Sequence, residues 1–176
     1  AWLQSIVSEL TDEVVAYDEE FTVLIFNKTA ERIFHIPASR VLGIKATIDR
    51  ASSPELQLFM QTMFTSLAPS VRQRSEPGTY PHVVDLSFPE LDVRVTTNRI
   101  LEASGAVAGF VKIIRDRTRE AEVMRSKNEF LTVAAHQLRT PLSAVHWVFE
   151  ALSTEHLSED NTRLVTTGAL ATQRLL

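Results

Sequence analysis

The sequence predicts an α+β chain in two parts, an antiparallel sheet with flanking helices and a long helix leading into a helical hairpin. Three observations carry this. β-rich runs separated by turn residues fill the stretch from about residue 11 to 115. Past Asp116 they stop, and residues 118–152 hold a single proline and no glycine. Across that stretch apolar residues recur at spacings of four and three, as one buried helix face requires.

The elements follow in order. In "AWLQSIVSEL", Leu3, Ile6, Val7 and Leu10 fall on one helical stripe, so a short helix is expected over 1–10. Alone it is too short to be stable and must pack on something. "EVVAYDEEFTVLIFN" holds two β-rich runs around Asp18-Glu19-Glu20, a hairpin. "NKTAERIF" has a helical pattern with Asn27 placed to cap it. In "SSPELQLFMQTMFTSL", Ser53 is the expected cap and Pro54 the first helical residue. Further β-rich runs are "SVRQRS", "HVVDLSF" leading into "DVRVTTNRIL", and "AVAGFVKIIRD". Ser104-Gly105 marks a tight turn, and Pro89 demands a break or an edge in the middle run. The expectation is a five-stranded sheet. "STEHLSEDN" reads as a loop, with Asn161 opening the last helix.

Composition bounds the function. With 44% hydrophobic and 23% charged residues the 176-residue chain is ordinary for a soluble fold. A net charge of −4 offers no broad basic field, so nucleic acid is not an expected partner. The absence of cysteine excludes disulfides, thiolate metal sites and cysteine nucleophiles, and no metal site is expected. No apolar run approaches the roughly 18 residues of a membrane span. No signal peptide is visible. The chain stops at Leu176 inside a helical pattern, so a fragment is expected, the cytoplasmic portion of a protein whose membrane anchor before Ala1 stays an open question.

Within the long helix, Phe130, Ala134, Leu138, Leu142, Val145, Phe149 and Leu152 form a continuous seam. One hairpin buries such a seam poorly; two hairpins in a four-helix bundle bury it well. At 100° per residue His136 points about 200° away from Ala134. Glu129, Thr140, Ser143 and Trp147 lie near the same direction, giving a polar outward stripe with a tryptophan on it. A lone exposed histidine on a helix is ordinarily just solvated. Pro141 costs a helix interior ~3 kcal/mol and equally suits a helix end near Arg139. The seam keeps phase across Pro141, which favours one bent helix over two.

The string "HQLRTPL", with its lead-in "NEFLTVAA", resembles the phosphoacceptor box of two-component sensor histidine kinases, usually His-Glu-Leu-Arg-Thr-Pro-Leu. The stretches "NKTAERIF" and "GFVKIIRDRTRE", with Asp116-Arg117-Thr118 as the Asp-x-Thr passing from last strand to signalling helix, are similar to a Per-Arnt-Sim (PAS) sensory domain. The resemblance implies a PAS-like domain at 11–115, a signalling helix at 116–127, and a dimerisation and histidine-phosphotransfer domain at 128–176 forming a homodimeric four-helix bundle. It implies that His136 takes the γ-phosphoryl of ATP on a ring nitrogen and passes it to an aspartate of a response regulator. Thr140 matches the residue that orients water when the regulator is dephosphorylated. Pro141 cannot hydrogen-bond to the Gln137 carbonyl, which leaves the histidine's turn easier to bend.

Gln137 departs from the pattern, standing where the usual acid would accept from Nδ1 and stabilise an imidazolium. No Gly-rich nucleotide motif is present, so ATP and Mg belong to an ATP-binding catalytic domain of the same protein, outside this chain. The sensory ligand is unknown. A flavin adduct would need cysteine, and the region 52–68 lacks the histidine of haem-binding relatives. His146 lies off the stripe, His156 in the loop, and His35 and His82 in the sensory part. A rival reading keeps the chain as a non-catalytic PAS coiled-coil module for dimerisation or ligand binding.

Overall fold

The computed structural model describes Val7 and residues 10–174. The helix expected over 1–10 lies outside them save for Val7 and Leu10, as does Leu176. The chain forms two compact units, residues 1–121 and 122–176.

The first unit begins with β1 (Glu13–Tyr17) and β2 (Val23–Phe26), the expected hairpin. Asp18 makes its turn: Oδ1 accepts from the Thr22 amide at 2.7 Å and the carbonyl accepts from Phe21 at 3.1 Å. Asn27 caps α1 (Lys28–Phe34), its Oδ1 accepting from the amides of Ala30 and Val14, both at 3.0 Å. One side chain thereby fixes the helix start against β1.

Helix α2 spans Gln57–Met63 and begins later than expected. Ser53 makes no side-chain cap; residues Ile48–Ser52 run as a 3₁₀ turn and the Leu56 amide then donates to the Ser53 carbonyl. Successive tight turns use the residues that Ser53 and Pro54 would have made helical.

Six strands form the sheet, not five. Beyond β3 (Ser70–Gln73), the run interrupted by Pro89 divides into β4 (His82–Ser87) and β5 (Asp92–Leu101). The Phe88 amide closes the turn on the Leu91 carbonyl at 2.8 Å, because proline cannot donate to a ladder. β6 (Val107–Asp116) follows a turn in which Gly105 has φ +85°. The order β2-β1-β6-β5-β4-β3 is antiparallel throughout, so the first strand lies beside the last.

One face of this sheet carries Val15, Val84, Leu86, Val93, Val95 and Ile114 into a core closed by Phe34, Phe59, Met60 and Met63. Phe59 meets Phe26 and Phe34 edge-on, with centroids at 5.5 and 5.3 Å. The antiparallel sheet with flanking helices is as the sequence implies.

The second unit holds most of α3 (Thr118–Ser153) and α4 (Glu159–Gln173). Ser158 caps α4, so the helix opens two residues before the expected Asn161, whose amide donates to the Ser158 hydroxyl at 3.4 Å. α3 continues through Pro141 as one helix. Among the described residues no helix is long and apolar enough to cross a membrane.

Candidate functional site

The start of α3 is held by side chains at the end of the sheet. Asp116 Oδ1 accepts from the Thr118 amide at 2.9 Å and its hydroxyl at 2.6 Å. The same hydroxyl accepts from the Asp92 amide at 3.1 Å, and the Arg117 amide donates to the Asp92 carbonyl at 2.7 Å. Asp116 and Thr118 together thus replace the missing helical partners of the first turn. Beside them Asp85 accepts from Arg94 at 2.8 and 3.1 Å and from Arg74 at 2.6 Å, with Arg117 at 3.7 Å. The Arg94 fork, then Arg74, hold the Asp85 carboxyl below the usual carboxylate range.

Further along α3, Glu129, His136, Gln137, Thr140 and Trp147 are exposed. Ser143, expected on the same stripe, is half-buried. Among the described residues the His136 ring makes no hydrogen bond or ion pair, so both nitrogens are open to a reagent. Among the described residues Gln137 makes no hydrogen bond to the ring; it stands one residue on, about 100° round the helix. Thr140 lies one turn beyond His136. Thr132 donates its hydroxyl to the Asn128 carbonyl at 2.9 Å, but among the described residues the Thr140 hydroxyl makes no such bond.

The apolar seam divides. Leu142 and Phe149 are half-buried, while Phe130 is 70% and Leu138 62% exposed. Among the described residues Phe149 packs on α4 at Gly168, whereas Phe130 and Leu138 remain uncovered in a single chain.

Residues 126–176 match the family of the His Kinase A (phospho-acceptor) domain. The sensor protein kinase WalK of Staphylococcus aureus is 24% identical over 151 residues, 85% of this chain and 22% of the relative. The chain therefore spans about a fifth of that curated relative's length. The structure of the PAS domain from Bordetella pertussis BvgS has 17% identity and a TM-score of 0.49, covering 73% of this chain and 92% of that one. The histidine kinase ThkA, solved in complex with the response regulator protein TrrA, has 18% identity and a TM-score of 0.47, covering 97% of this chain and 51% of that one.

The surroundings of two residues escaped the sequence reading. His146, read only as lying off the stripe, sits in the hairpin interface: Nδ1 is 3.1 Å from Thr172 Oγ1 and Nε2 is 3.5 Å from Glu150. Its place follows from Phe149, three residues on and on the same face. In the first unit Lys112 is buried in β6. The period-two alternation of "FVKII" places it with Phe110 and Ile114, a signal that was available. Among the described residues no cluster of three or more His, Asp or Glu side chains could hold a metal.

Proposed function

We propose that this chain is the sensory and phosphoacceptor portion of a sensor histidine kinase, in which a signal received at 11–115 passes through the helix at 116–127 to a phosphotransfer domain at 128–176. The observation that carries the reading is the exposed, unbonded His136 ring inside the segment matching the phospho-acceptor family.

His136 is the nucleophile. A ring nitrogen attacks the γ-phosphorus of ATP, the bond to the bridging oxygen breaks, and ADP leaves with that electron pair. The ring proton on the other nitrogen is then lost to solvent. An ATP-binding domain of the same protein brings the nucleotide with Mg in line, because positioning supplies most of the acceleration in phosphoryl transfer. The phosphoryl group passes from nitrogen to an aspartate oxygen of a response regulator docked on the stripe that includes Trp147. Thr140 orients water when the phosphorylated regulator is hydrolysed. Pro141 removes the donor that the Gln137 carbonyl would otherwise have, which eases bending at the histidine's turn. The uncovered Phe130 and Leu138 support a parallel homodimer in which two hairpins close a four-helix bundle. The chain acts as a cytoplasmic portion of its protein.

The test is incubation of the chain with a matching ATP-binding domain and labelled ATP. Acid-labile, alkali-stable label should appear in the wild type and vanish in His136→Ala. Thr140→Ala should keep acceptance yet slow dephosphorylation of the regulator. Absence of label in the wild type would favour the non-catalytic module instead, and label retained by His136→Ala would put the acceptor at another residue.

A further inference from the structure

On the core face of the sheet one cation stands among apolar side chains. Lys112 is 5% exposed and shares its face of β6 with Phe110 and Ile114, which pack in the core. Across the ladders its partners are Val15 and Thr97, both buried, and beyond Thr97 comes His82, half-buried. Nζ donates to Thr97 Oγ1 at 3.2 Å. Among the described residues that is its one hydrogen bond, and no carboxylate pairs with it. An ammonium has three donors, so two are unused. A buried cation satisfied by one neutral hydroxyl is a costly arrangement for a core to keep.

The other charged groups of that face do not relieve it. Glu13 lies one ladder row away, opposite Ile114, and makes no ion pair with Lys112. Burial pushes the Glu13 carboxyl up to about 6. His82 is turned toward Ser75 and Gln73, with Nδ1 at 3.5 and 3.4 Å from them. Burial pulls the Lys112 ammonium down to about 8, which leaves it mostly charged at neutral pH.

The next row on the same face runs Tyr17–Phe110–Arg99. Tyr17 stacks on Phe110 at 5.5 Å and on Phe21 at 5.4 Å, and Phe21 meets Phe64 at 5.5 Å. Phe21, Phe64 and Phe110 are only partly buried. Arg99 is exposed and lies over the Tyr80 ring at 4.7 Å. A buried cation, a set of partly open rings and an exposed cation therefore follow one another toward the edge of one face.

We propose that this face is a ligand site, in which Lys112 donates to the carboxylate of a small aromatic acid whose ring lies against the partly open Phe110 while Arg99 at the rim draws the anion in. The charge and two oxygens of a carboxylate match the charge and two idle donors of Lys112. An aromatic body matches the rings. An inorganic anion lacks that body, and a neutral amide lacks the charge. The proposal rests on the reading of residues 11–115 as the sensor and names the class of molecule sensed.

The probes are phenylacetate and its uncharged isostere phenylacetamide, titrated calorimetrically into the full chain at pH 7. Phenylacetate should bind saturably and the amide at least about tenfold more weakly. The difference should shrink as pH rises past 8, where the ammonium discharges. Lys112→Met, checked for native circular dichroism, should bind acid and amide alike. Equal binding of both probes to the wild type, no binding of either at millimolar concentration, or discrimination that survives Lys112→Met would each overturn the site. Should Lys112→Met fail to fold, the wild-type comparison of acid with amide decides alone. Phosphorylation of His136 is not read in this experiment, so its failure and a failure of the kinase reading are separate results.

Discussion

Gly168 of α4 lies under the ring of Phe149 of α3, and a Cβ on Gly168 would collide with that ring. Glycine inside a helix ordinarily costs about 1 kcal/mol relative to alanine, so Gly→Ala is usually stabilising. Here the half-buried Phe149 would have to swing away from the new methyl group, and overpacking of this kind costs roughly 1–3 kcal/mol. The packing term is the larger. Gly168→Ala should therefore lower stability by about 1 kcal/mol in denaturant unfolding. In a Phe149→Ala background the same substitution should stabilise; the reversal of sign is the measurement that decides.

Asp85 contributes to the pH dependence of the first unit's stability. Its folded carboxyl lies below its unfolded value because Arg94 and Arg74 favour the charged form. A depressed carboxyl contributes stability that is present above about pH 4 and is lost as pH falls through the folded value. Asp85→Asn should cost about 1–3 kcal/mol at pH 7, since it weakens hydrogen bonds to charged groups. The variant should also show a shallower loss of stability between neutral and acid pH. Parallel acid slopes in variant and wild type would contradict this.

Leu138 tests the bundle. It is 62% exposed in one chain and lies on the apolar seam of α3. Leu138→Glu should place an unpaired charge at the centre of a bundle and cost the dimer several kcal/mol. Sedimentation at micromolar concentration should show monomer. An unchanged dimer would move the interface elsewhere.

Gln137 tests the electrostatics of the phosphoryl step. As the ring nitrogen of His136 bonds to phosphorus the ring gains positive charge, which an amide oxygen accepts from but does not neutralise. Gln137→Glu should raise the phosphorylation rate about tenfold, equivalent to ~1.4 kcal/mol of transition-state stabilisation. The wild type should still react through positioning. The readout is a time course of phosphohistidine in the complete kinase at saturating ATP, and an equal or slower rate for the glutamate variant would rule the amide out as limiting.

What was legible in the sequence was what local chemistry decides. Asn27 announces a cap and performs it; Ser104-Gly105 announces a turn and makes it. The exposure of His136 follows from its angle to Ala134 on one helix. Ser53-Pro54 misled, because tight turns on either side competed for the same residues. Ser143 misled: it is half-buried and stands three residues before His146, which meets Thr172 of the second helix, a helix the periodicity of the first does not contain. The isolation of Lys112 needed the pairing of β6 with both β1 and β5, contacts far apart along the chain.

The pairing of β1 with β6 sets Glu13 opposite Ile114, so the chain enters and leaves the sheet at one end, on neighbouring strands about 5 Å apart. A module with adjoining ends can be cut from a longer chain, or spliced into one, while the severed ends need bridge only about one strand spacing. Deleting residues 13–116 would bring Asp12 to Arg117 with few linker residues needed. The sheet-bearing unit is in that sense a cassette, exchangeable for another whose first and last strands are neighbours, while the helix beginning at Thr118 keeps its own register of apolar residues.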